Sequence, residues 1–254
     1  MDSDGGPSTP ATPVRKLVLL LIVLGLSLSL AAIVTLAPRS RKRPSAEQWP
    51  PGVWVAGDSK THIHANLTKL RTENFPALAQ MHALFTVCFD GEGGNDEKLM
   101  ALSQLRFTNL ACVVFTDCPL VTDTGVEYLS QISSATNLAL RGMSVSDAAC
   151  ELLASRIQLC EVNMPRCTNV TVKGLLKMAQ SESIASLGFS LGKMTQDDLI
   201  QLITNAGPRL GRMDIDMDNA VHERLDFPAI LRVAEARKIR LFGVRRGYLT
   251  PFGE

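Results

Sequence analysis

The sequence predicts an α/β repeat, in which parallel strands line one side and helices the other, preceded by a membrane-spanning helix. Three observations predict it. A dozen residues recur in four versions: VTDTGVEYLSQI (121–132), VSDAACELLASR (145–156), VTVKGLLKMAQS (170–181) and MTQDDLIQLITN (194–205). Apolar triplets recur in step with them: Leu84-Val87-Phe89, Leu110-Val113-Phe115, Ala135-Leu138-Leu140, Leu159-Val162-Met164, Ile184-Leu187-Phe189, Leu210-Met213-Ile215 and Ala236-Ile239-Leu241. Their first members lie 26, 25, 24, 25, 26 and 26 residues apart. Ahead of both, the 21 residues from Leu17 to Ala37 carry no charge.

In chain order, residues 1–16 form an N-terminal tail and 17–37 the span, since a bilayer core needs roughly 20 helical residues. A cleaved signal peptide is the rival reading, with Ser29-Leu30-Ala31 as the cleavage site. Against it, the apolar run continues past that point and ends at Arg39, Arg41, Lys42 and Arg43, whereas only Arg15 and Lys16 precede it. That imbalance places the C-terminal side in the cytoplasm. Residues 38–52 read as a basic, proline-rich linker. Residues 53–83 read as an N-terminal cap containing a helix, 84–225 as the repeats, and 226–254 as a last repeat and C-terminal cap.

Within each unit, the second and third triplet members alternate as one face of a short strand does. The later apolar positions, such as Val126, Leu129 and Ile132, follow a helical period. Thr122, Ser146, Thr171 and Thr195 stand where helix caps are wanted. A single strand–turn–helix unit cannot bury both faces alone, so the units must stack.

VVFTDCPLVTDTGVEYL (113–129) and VNMPRCTNVTVKGLLKM (162–178) resemble the cysteine-containing class of leucine-rich repeat. Cys118 and Cys167 fall on its cysteine position, and Val172 replaces the Asp of its T-D-x-G turn. The resemblance covers roughly residues 84–245 and is closest to membrane-anchored bacterial arrays. It implies a solenoid with strands on the concave face, and cysteines packed inside the turns.

Chemistry is sparse. Lys plus Arg is 26 and Asp plus Glu is 25, which gives no whole-chain attraction to nucleic acid. His62 and His64 would share a strand face, but no third metal ligand lies near them in the sequence. Cys88 and Cys112 stand where an exposed strand face would put them, without a neighbouring base. GEGGN (91–95) lacks the Lys and Ser/Thr of a phosphate loop and reads as a turn. The chain therefore reads as non-enzymatic, with no cofactor, metal or small-molecule substrate. The expected role is protein–protein interaction through the concave ladder Thr116, Arg141, Asn163, Asp214, Asp216 and Arg240. Arg237, Lys238 and Arg240 belong to the strand after Asp214, and the triplet register sets Asp214 beside Arg240. An adaptor subunit of a larger complex and a structural envelope component are the alternatives.

Overall fold

The computed structural model describes residues 53–59, 62–217, 225–245 and 248–251. The tail, the apolar run 17–37 and the linker lie outside the described residues. Among the described residues, no helix is long and apolar enough to cross a membrane.

The described residues form one ten-stranded sheet whose strands follow one another in sequence order. The strands are β1 (Trp54–Ser59), β2 (His62–Asn66), β3 (Leu84–Asp90), β4 (Cys112–Thr116), β5 (Asn137–Arg141), β6 (Glu161–Met164), β7 (Ser186–Ser190), β8 (Arg212–Asp216), β9 (Arg240–Arg245) and β10 (Tyr248–Pro251). From β2 to β9 every pairing is parallel, and an antiparallel strand closes each end. The helices are α1 (Asp96–Ser103), α2 (Asp123–Ser130), α3 (Asp147–Ala154), α4 (Val172–Ala179), α5 (Gln196–Thr204) and α6 (Phe227–Ala236). Each packs on the next in a single layer, so among the described residues no helix covers the other face of the sheet. The expected helix of the N-terminal cap is a 3-10 helix, Thr72–Gln80, with Pro76 inside it. Proline cannot donate the backbone bond a regular α-helix interior requires.

The core is the strand–helix interface. The inward pairs Val87/Phe89, Val113/Phe115, Leu138/Leu140, Val162/Met164, Leu187/Phe189 and Met213/Ile215 are all buried, and Phe89 stacks on Phe115 at 5.1 Å between ring centroids. Burying each such aliphatic side chain contributes about 1.5–3 kcal/mol. Cys118 and Cys167 are buried in the turns, where their thiols donate to the Phe89 carbonyl (3.4 Å) and the Leu140 carbonyl (2.9 Å) of the preceding strand. Met143 takes the same place in the unit between them and is also buried.

The T-D-x-G turn has a physical reason that spans two units. Thr122 caps α2, and its N–H and hydroxyl donate to Asp96 of the previous unit at 2.9 and 2.6 Å. Ser146 does the same with Asp123 (2.7 and 2.5 Å), and Thr171 with Asp147 (2.8 and 2.6 Å). Gly125 and Gly174 leave room for those carboxylates, since a Cβ at either would collide with Asp96 or Asp147. Val172 breaks the chain of bonds because it offers the next cap no acceptor. Asp198 repairs it locally, accepting from the N–H and hydroxyl of Thr195 at 2.8 and 2.7 Å in a capping box. Gln196 then resumes the reach to the next unit, accepting from the Asp226 N–H at 2.7 Å.

The last triplet departs from the expected register. Leu241, not Ile239, pairs with Met213, Gly243 pairs with Ile215, and Ala236 is exposed. α6 ends in a tight turn with Lys238 at φ 58°, which carries the chain into β9 after residues 237–239. The preceding helix reaches its strand through residues 205–211, so equal sequence spacing does not give equal strand position.

Candidate functional site

The open face carries three ladders, because strand residues between and beside the inward pairs point away from the helices. One ladder runs Thr86, Cys112, Asn137, Glu161, Ser186, Arg212, Arg240. The middle one runs Cys88, Val114, Ala139, Asn163, Gly188, Asp214, Phe242. The third joins Asp90, Thr116 and Arg141 on one side, and Ser190 and Asp216 on the other. The six residues expected on this face all lie on these ladders, but they do not form one cluster.

The polar centre lies on β5 to β9. The Thr136 hydroxyl donates to Asn137 Oδ1 (2.7 Å), and Asn137 Nδ2 donates to Glu161 Oε2 (2.9 Å). Burial pushes the Glu161 carboxyl above its ordinary value and Asp214 adds to this, against the opposing effects of Arg212 and the Asn137 bond. On the far side, Arg212 grips Asp214 with two parallel bonds, Nε to Oδ1 at 2.7 Å and Nη2 to Oδ2 at 3.0 Å. Its guanidinium also lies over the Phe242 ring, 4.5 Å from the centroid. Between these walls β7 presents only Ser186, Gly188 and Ser190. The Asn163 side chain leans over Gly188, where a Cβ would collide with its Oδ1. Neither the Ser186 hydroxyl nor the Asn163 amide has a hydrogen-bond partner among the described residues, whereas Ser190 donates to Asp216 Oδ2 at 3.0 Å.

The expected Asp214–Arg240 neighbourhood is corrected. The shifted last register sets Asp214 beside Phe242 and Arg240 beside Arg212. Asp214 is buried at 6 % exposure and is paired within its own strand. Thr116 and Arg141 sit toward the turns, where Asp117 pairs with Arg166 at 3.2 Å and approaches Arg141 at 3.8 Å. Asn137, Glu161, Ser186, Arg212 and Phe242 were missed. Their signal is positional: each directly precedes an inward strand residue, which for Phe242 is Gly243, set there by the shifted register.

Five of the six thiols offer little to nucleophile chemistry. Burial pushes Cys88, Cys112 and Cys150 up to about 12, and Cys118 and Cys167 up to about 11. A thiol so shifted holds almost no thiolate near neutrality. The His64 ring packs edge-on against Phe85 at 6.3 Å, and the His62 side chain lies outside the described residues. Among the described residues, no group of three or more His, Cys, Asp or Glu could hold a metal ion. No family model and no curated protein matches the chain.

Proposed function

We propose that this chain is a non-enzymatic interaction module, a membrane-anchored leucine-rich-repeat array of the cysteine-containing class. Its partner is a protein that docks on the open face of the sheet. The observation that carries this reading is the polar slot on that face. Glu161 and Asn163 line one side, and Arg212 and Asp214 the other, over the small side chains of β7. The two walls stand two strand spacings apart, roughly 9–10 Å. Ser186 and Asn163 remain free to bond an incoming chain. Support for the repeat class comes from the buried, hydrogen-bonded Cys118 and Cys167. The uncharged run 17–37 supports the anchor, and the basic flank after it supports a cytoplasmic repeat domain.

A photo-crosslinking residue at Ser186, compared with one at the exposed Glu127 on α2, tests the docking face. The expected result is one protein captured from Ser186 alone, with capture lost in Asn163→Arg. Equal capture from both positions would sink the reading. For the anchor, a tag after Glu254 should resist external protease in intact cells and be removed after lysis.

A further inference from the structure

Through most of the array, each loop between a helix and the next strand rests on the loop before it. The Ser181 and Ser183 hydroxyls donate to the Ala154 and Arg156 carbonyls, at 2.8 and 2.6 Å. The Gly207 N–H donates to the Ala179 carbonyl at 2.8 Å. The final step is held by the Arg237 side chain on the Ala206 carbonyl and by the Arg240 N–H on the Gly211 carbonyl at 3.0 Å. Residues 205–211 join α5 to β8, but only 237–239 join α6 to β9, so the short connection covers the long one only in part. An open cavity of about 420 Å³ remains between them, within the size range of small-molecule sites.

The lining of this cavity is of two kinds. Ala206, Pro208, Leu210 and Ala236 give it an apolar wall, while its charged residues, Arg237 and Lys238, are both cations. Just outside the lining, exposed Arg209 lies between Pro208 and Leu210, and exposed Glu235 lies beside Ala236. No carboxylate lines it. Arg237 Nη2 donates to the Ala206 carbonyl, which ties its guanidinium across from one loop to the other.

Lys238 closes the turn at the rim of the cavity. It occupies the position after the helix end where glycine is favoured, at φ 58°. Its N–H bonds the Glu235 carbonyl and the Ile239 N–H bonds the Ala234 carbonyl, both at 2.9 Å, so the turn itself needs only the backbone. Glycine would adopt this conformation without the strain that lysine carries there, as Asp117 and Arg166 also do in their turns.

We propose that this cavity binds a small phosphate monoester, with the phosphate on Lys238 and Arg237 and the organic part against Leu210, Pro208 and Ala236. Paired cations, one of them a planar guanidinium, suit a dianionic phosphate. The volume exceeds what phosphate alone would fill. This site lies apart from the open face and does not depend on the docking reading.

The test uses phenyl phosphate as the probe, titrated into the full chain at low salt and followed by calorimetry, with inorganic phosphate alongside. Saturable one-to-one binding of phenyl phosphate, tighter than that of inorganic phosphate, is expected. Lys238→Gly should raise the Tm of the ligand-free protein by relieving the left-handed strain, yet weaken binding about tenfold, the worth of one charge-assisted contact. Lys238→Met should weaken binding equally without raising the Tm. The proposal is overturned if the wild-type chain shows no saturable binding, or if both variants bind within about twofold of it.

Discussion

Asp96, Asp123 and Asp147 each hold the cap of the following unit, and their loss should be felt at two helices rather than one. Asp147→Ala is expected to cost about 1–2 kcal/mol, read from urea denaturation. Asp198→Ala should cost about 1 kcal/mol, and adding Val172→Asp should recover most of that, because an aspartate at 172 restores the acceptor from the preceding unit. Strict additivity of the two would contradict this account of the ladder. Glu161 contributes with its own sign. Burial raises its pKa, so the folded chain binds the proton more readily than the unfolded one. Its contribution is therefore most favourable at low pH and declines as pH climbs from about 4.3, the ordinary Glu value, through the raised one. Glu161→Gln keeps an acceptor for Asn137 and removes the buried charge. It is expected to stabilise the protein more at pH 7 than at pH 4, and an equal effect at both would count against it.

At the scale of elements, each strand meets its helix through two inward side chains, so truncating one should be expensive. Phe115→Ala removes the ring stacked on Phe89 and is expected to cost about 3–5 kcal/mol. The same burial governs the cysteines. With five thiols pushed up to about 11 or 12, iodoacetamide at pH 8 should label native protein slowly at all five. Cys160, half-exposed before β6, should be labelled first by mass spectrometry. Strand, turn and helix were legible in the sequence for the units whose connections have similar lengths. The exception is β9. Ala236-Ile239-Leu241 looks like the other triplets, but a turn closed at Lys238 shortens the connection and moves the strand two positions.

For the array as a whole, stability is largely a sum of neighbour contacts, since strands and helices pack on those of the next unit and side-chain contacts such as Arg166 on Asp117 reach one unit further. Phe115→Ala should therefore raise amide exchange first in β3 to β5 and leave β8 close to wild type. Uniform loss of protection along the sheet would instead mean that the units unfold together. The amino-acid sequence by itself determined the repeat length, the order of strand, turn and helix, and the caps Thr122, Ser146, Thr171 and Thr195, because these depend on residues a few positions apart. Only the tertiary structure decided which open-face side chains meet. Asn137 and Glu161 are 24 residues apart and join through strand register, and Arg212 reaches Phe242 only because the last turn resets that register. The cavity at Lys238 has the same origin: it is the space left where a short loop covers its longer neighbour only in part.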